Sequence, residues 1–432
     1  MDELAVKEYL NQGAVLAGQG KYPEAIAFYD KAEQANPMNF EIYLAKGIAF
    51  ANMNQLDEAK LQFEKALKIN RTSGLAYFHL GSIAILQEDI ALGFENYNKA
   101  ITNGFDDAQL YYSIGLLHEE NGEIDLAIRN YTKAITQDAL RPDIRIRKAR
   151  LLIQGNHIPE ALQVLDETIL TNPDIFEGYH IKFVLLMQQN QHDKAEEVLK
   201  SALSLFPNDP SFLMDKASLL AEQNKTQEAL NLLSDIEKFE NIDNIIRRQI
   251  GMERSQIFAM KNDVLTTIKE LEKTNTILDE FDVEIVFLLA NCHMTAGEHE
   301  KVLEYARQIV EKSDIPFYKL TAQYYVPMAL KMLGRMDEAR PLYEEAISEF
   351  RNQALASPGN LDAYMLRAMC LRDLDQFDKA LELIDYVITL QPESAEPRML
   401  RVNLLETLNR DAEAKEETRI VNAMLPEEMR RQ

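Results

Sequence analysis

The stretch NQLDEAKLQFEKALKIN, residues 54–70, decides the fold class. Leu56, Ala59, Phe63, Ala66 and Leu67 recur at three- and four-residue spacing and make one apolar helical face. Asn54-Gln55 stands where the preceding helix must break, because Asn or Gly there can take the left-handed conformation that ends a helix. Gly20-Lys21, Gly122-Glu123 and Gly334-Arg335 punctuate the chain in the same way. Proline then stops many of the second helices, at Pro37, Pro173, Pro207, Pro392 and Pro426. Each unit reads as helix, tight turn, helix, and no run of alternating β-branched residues competes for a strand.

Working outward, the unit recurs. Gly13, Gly47, Gly81 and Gly115 each fall 34 residues after the last, and the step continues to Ala149, Phe183 and Ala217. Ala25, Ala59, Gly93, Ala127, Ala161, Ala195 and Ala229 keep the same period, as do Ala32, Ala66, Ala100 and Ala134, and Tyr9, Tyr43, Tyr77 and Tyr111. A small residue in mid-helix lets two backbones approach while an aromatic fills the space beside it. Enlarging such a site, for example Ala127→Leu, is expected to overpack it at a cost of ~1–3 kcal/mol.

Tyr77, Leu80-Gly81, Tyr97 and Ala100, repeated as Tyr111, Ile114-Gly115, Ala127, Tyr131 and Ala134, resemble the tetratricopeptide repeat (TPR) pattern. The resemblance covers about residues 6–428. It implies an all-α, right-handed superhelix (solenoid) of about twelve helix-turn-helix repeats, whose first helices line a concave groove. Residues 1–237 read as a regular array of seven repeats, 238–247 as an irregular joint around KFENIDN, and 248–432 as five less regular repeats. In that second array Thr267 and Val302 hold the small-residue slot, with steps of 38, 35 and 37 residues between Ala229 and Ala339. RNQALASPGN, residues 351–360, is expected to prolong a second helix before Pro358-Gly359. Only EEMRRQ follows Pro426, with no clear polar cap, so a homodimer through the C-terminal end is one expected arrangement.

A formal net charge of −24 argues against nucleic acid or an anionic membrane as partner, because the summed field repels phosphate. No stretch approaches ~18 uninterrupted apolar residues, and MDELAVKEYL lacks the basic and apolar regions of a signal peptide. Cys292 and Cys370 cannot build a disulfide framework or a four-ligand zinc site and read as reduced, mostly buried thiols. The expected location is cytoplasmic.

Chemistry is not legible. There is no glycine-rich phosphate loop, GxSxG, HExxH or EF-hand loop. His293 and His299 straddle the Gly297 turn at a poor ligand spacing, and Cys292 and His293, being adjacent on a helix, point about 100° apart. No enzyme activity, metal or cofactor is expected.

The surface left to consider is the inner face of the first helices. In repeats three to six it would carry Phe78, His79, Ser82, Tyr112, Leu116, Arg147, Arg150 and His180. Two arginines flanked by aromatics suit a carboxylate or phosphate. The local alternative is that Asp143, four residues before Arg147, pairs with it and that surrounding acids absorb Arg150. In the second half the same face would carry Met252, Met260, Phe287, Asn291, Met294, Tyr324, Tyr325, Met328, Met332, Met365, Met369 and Met399. A methionine-lined groove moulds itself to varied apolar ligands, whereas methionine between irregular repeats is simply gap filler. Family members that bind carboxylate-ended chaperone tails use lysines and asparagines on three successive first helices. Here the opening repeats offer Lys7, Leu10, Asn11, Ala14, Leu44, Ala45 and Ile48, which is not that clamp.

The expected function is a non-enzymatic scaffold or peptide-binding protein, its partner a protein or peptide held in the groove. The alternative is the regulatory or sensor part of a larger enzyme or signalling assembly.

Overall fold

The computed structural model describes residues 3–240, 242–278 and 280–425. Pro426, the EEMRRQ tail and Asn241 of the expected joint lie outside the described residues, and so does the test of a C-terminal dimer end. All regular structure among the described residues is helical. Repeats one to three are α1 (Glu3–Gly18) and α2 (Tyr22–Ala35), α3 (Phe40–Asn52) and α4 (Leu56–Ile69), α5 (Gly74–Leu86) and α6 (Ile90–Thr102). Repeats four to six are α7 (Ala108–Glu120) and α8 (Ile124–Gln137), α9 (Pro142–Gln154) and α10 (Ile158–Thr171), α11 (Phe176–Gln188) and α12 (His192–Leu205). Next come α13 (Pro210–Glu222) and α14 (Thr226–Ile236), α15 (Asn244–Met260) and α16 (Val264–Ile277), α17 (Val283–Thr295) and α18 (His299–Lys312). The last three pairs are α19 (Pro316–Met332) and α20 (Met336–Ala356), α21 (Leu361–Asp373) and α22 (Phe377–Leu390), α23 (Ala395–Thr407) and α24 (Asp411–Met424). No described helix is long and apolar enough to cross a membrane.

The turn inside each pair follows from local chemistry. Gly20, Asn54, Glu88, Gly122, Asn156, Asn190, Asn224, Asn262, Gly297, Gly334, Asp375 and Asn409 all take positive φ. The residue after each donates its N–H to a carbonyl five residues back, as Gln55 N–H does to Phe50 O at 2.9 Å. That is the Schellman closure, which satisfies a carbonyl the helix end would orphan. First helices are often capped by a side chain. Asn39 accepts from the Glu41 N–H, Asp107 from Gln109 and Asp209 from Ser211 and Phe212.

The small-residue register is the core. Ala25, Ala59, Ala127, Ala161, Ala195, Ala229, Val302, Ala339 and Ala380 have no exposed surface. Opposite them, the glycines of the early repeats lie under aromatic rings. A Cβ on Gly47 would stand 2.6 Å from the Phe63 ring, on Gly81 2.6 Å from Tyr97 and on Gly115 2.5 Å from Tyr131. When the first helix carries Ala149 or Ala217 instead, the ring is replaced by Leu165 or Leu233, all fully buried. The pair thus keeps its summed volume.

The chain divides into two compact units, residues 1–207 and 208–432. Each is a helical repeat solenoid of six helix pairs. The division falls one repeat before the joint expected at 238–247. Between α14 and α15 the chain is irregular, but packing crosses it. Met214, Ala217, Leu233, Ile236, Ile250 and Ile257 share one apolar cluster. Arg254 Nη2 reaches Glu237 Oε2 at 2.7 Å, and Ser218 Oγ donates to Glu253 Oε2 at 2.7 Å. As expected, α20 is prolonged, running 21 residues to Ala356 before Pro358-Gly359.

Candidate functional site

The first helices of each unit form one rank, with direct packing between α1 and α3 in unit 1 and between α13 and α15, α17 and α19, and α19 and α21 in unit 2. Side chains on this rank are the candidate site.

In unit 1 the expected residues separate into three roles. Phe78 is buried, packed on Tyr97 and Phe105 with ring centroids 5.9 and 5.2 Å away, and so offers little to a ligand. His79 stacks face to face on Phe63 at 4.9 Å, and burial pushes its pKa down to about 4, so it is neutral at pH 7. Tyr112 remains half-buried, with the Arg141 guanidinium 5.4 Å from its ring centroid.

The arginine patch is self-neutralised. Arg147 Nη1 donates to Glu119 Oε1 on α7 at 3.1 Å, and the same carboxylate accepts from Tyr131 Oη at 2.5 Å. Arg150 pairs with Glu177 on α11. Asp143 does not pair with Arg147, as the four-residue spacing suggested; its partner is Arg141, at 2.7 Å. Arg145 points the other way, to Glu167 on the second helix α10, at 3.0 Å. The arginines therefore form a ladder between first helices rather than an open anion cradle, because acids one repeat away reach them. His180 lies on the same rank, its ring 6.2 Å from Phe176.

In unit 2 three expected residues meet. Phe287 lies parallel to Tyr325, centroids 5.9 Å apart, and Tyr325 Oη donates to Asn291 Oδ1 at 2.8 Å. Two residues not singled out from the sequence complete the cluster. Tyr318 and Phe317 stand edge-on to Phe287 at 5.1 and 5.9 Å, and Phe317 is 53% exposed. Their signal was available: Tyr318 and Tyr325 are seven residues apart, two helical turns, and so share a face.

Tyr324 does not belong to this surface. It is buried, donating from Oη to Asp373 Oδ2 at 2.9 Å beside Tyr343 Oη at 3.0 Å, while Arg372 Nη2 donates to Tyr324 Oη at 3.0 Å. Neighbours on a helix point about 100° apart, so Tyr324 and Tyr325 cannot both face the groove. The methionines of the expected face divide between half-buried and exposed positions. Met252, Met294, Met328 and Met369 pack against the core, as does Met365 in the next cluster, while Met260 and Met332 are exposed. Cys292 is half-buried and Cys370 buried; both are free thiols whose pKa burial raises.

Comparison with known proteins follows the same lines. A family described as tetratricopeptide repeat matches residues 119–179, 186–241 and 330–404, and a second of that description matches 40–73. A third, described as TPR repeat, matches 13–54. "Uncharacterized protein y4yS" of Sinorhizobium fredii (strain NBRC 101917 / NGR234) is 30% identical over 86 residues, 20% of this chain. The chain spans about half, 47%, of the length of that curated relative. Among solved structures, YrrB, described as a TPR protein with an unusual peptide-binding site, is 20% identical, with a TM-score of 0.37. That alignment covers 44% of this chain and 97% of YrrB. The C-terminal part of a TPR repeat-containing protein from Cytophaga hutchinsonii is 16% identical, with a TM-score of 0.46, covering 56% of this chain and 98% of that one. From the period, the twelve Schellman turns, the buried small-residue register and the family matches, the chain belongs to the tetratricopeptide repeat family.

Proposed function

We propose that this chain is a non-enzymatic scaffold that holds a protein or peptide segment against its first-helix rank. The observation that carries the reading is the aromatic face of unit 2. Phe317 stands half in solvent beside Phe287, Tyr318 and Tyr325, which are half-buried against the core and keep part of their surface exposed. Exposed, pre-packed aromatics are typical binding anchors, since their order costs little further entropy on association. Asn291 uses Oδ1 for Tyr325, which leaves its Nδ2 to donate to a ligand carbonyl. The segment so recognised carries an apolar or aromatic side chain and an extended backbone. A net charge of −24 disfavours nucleic acid as the partner. The reading places the protein in the cytoplasm and asks for no cofactor.

The test is selection of displayed peptides on the intact chain, followed by titration of Phe317→Ala/Tyr318→Ala. Removing two anchors is expected to weaken the selected peptides by about tenfold or more, with helicity unchanged. Undiminished affinity would dismiss this face as the contact.

A further inference from the structure

Unit 2 has a second feature, away from the first-helix rank. A cavity of about 290 Å³ opens between the second helices α18 and α20, over the first helix α19. Its apolar lining is Val310, Val326, Pro327, Leu342 and Ala346. Pro327 stands twelve residues before Ala339, the place held by Gly47 before Ala59 and Gly115 before Ala127. A proline in mid-helix has no N–H for the carbonyl four residues back, here that of Gln323.

The polar lining is one-sided. Gln323 Oε1 is buried and has no hydrogen-bond donor. Glu345, Ser348 and Glu349 complete the lining. Glu349 accepts from the neutral Gln353 Nε2 at 3.0 Å, and neither glutamate is in an ion pair among the described residues. The cavity therefore presents acceptors and negative charge above an apolar floor, with no cation of its own. Its volume is at the small end for ligand sites, which run to roughly 300–1,000 Å³, so it suits one long side chain better than a cofactor.

We propose that this cavity receives an arginine side chain presented by a protein partner. The methylene stem lies on Val326, Pro327 and Leu342, as such stems do on apolar surface. The guanidinium fork has five donors in one plane, enough to reach the orphan Gln323 oxygen and the two carboxylates together. The partner is thus a basic segment, and its site is separate from the aromatic face proposed above.

The test is methyl NMR of the full chain, observing Val310, Val326, Leu342 and Ala346. The probes are the peptide Ac-Ala-Ala-Arg-Ala-Ala-NH2, its citrulline counterpart and free agmatine. The arginine peptide is expected to shift these methyls saturably, and the neutral citrulline peptide at least about tenfold more weakly. Glu345→Gln/Glu349→Gln, changed on the cavity rim, should lose about tenfold for arginine and little for citrulline. Equal response to arginine and citrulline, or to wild type and the double variant, overturns the proposal. A response to agmatine without one to the peptide also overturns it, by assigning the cavity to a free guanidinium compound.

Discussion

Gly47→Ala is the sharpest test of how these repeats pack. A Cβ at position 47 would meet Phe63 Cε1, Cζ and Cδ1 at 2.6, 2.7 and 2.8 Å. Phe63 has no exposed surface and is stacked on His79 at 4.9 Å, so its ring cannot step aside freely. Overpacking of this kind costs ~1–3 kcal/mol. Ala is favoured over Gly in a helix by ~1 kcal/mol, so the net loss is ~0–2 kcal/mol. Phe63→Leu alone leaves a void and costs ~1 kcal/mol or more. Together the two changes recreate the Ala149–Leu165 and Ala217–Leu233 pairs that later repeats already bury. The double variant should therefore be more stable than the sum of the singles by ~1–3 kcal/mol. Repeats unfold in steps, so the measurement is native-state hydrogen exchange at α3 and α4 amides rather than one melting curve. Additivity within ~0.5 kcal/mol, or a Gly47→Ala gain equal to its full helix propensity, would refute the reasoning.

Glu88 is the one turn residue of the twelve that is neither Gly, Asn nor Asp, and it sits at φ 63. Glu88→Gly should stabilise the α5–α6 pair by ~0.5–1 kcal/mol, seen as slower exchange there; faster exchange would mean the turn is not strained. His79 supplies a pH dependence. Its folded pKa is about 4 against 6.5 when exposed, so the unfolded chain takes up the proton first. The stability of this region should be full above pH ~6.5 and fall by at most ~3 kcal/mol as pH drops to ~4. His79→Phe should remove that component from urea midpoints compared between pH 7 and 4, and an unchanged pH profile would show that the imidazole is not held neutral.

Much of the fold was legible because it rests on local rules. The left-handed turn residues, the prolines two positions beyond α2, α10, α12 and α22, and the buried alanine register are all set within one repeat. The site was less legible. Phe287, Asn291 and Tyr325 came together as spaced, but Tyr324 went into the Asp373 network, whose partners lie up to 49 residues away. Arg147 found Glu119, 28 residues back, rather than the acid four residues away. A face of one helix can be read from its period, whereas the choice of ionic partner depends on which side chains the neighbouring helix brings within reach.

The sequence alone determined the repeat, its period, the turn that closes each hairpin and the absence of any familiar catalytic motif, because each depends on residues close in the chain. Tertiary structure decided the rest. It neutralised the arginines with acids from adjacent repeats, drew most of the methionines that periodicity had set on the inner face into half-buried positions against the core, and joined α13–α15 across an irregular segment through a shared apolar cluster. These outcomes depend on how one helix stacks upon the next, and stacking distances are not a property of either helix by itself.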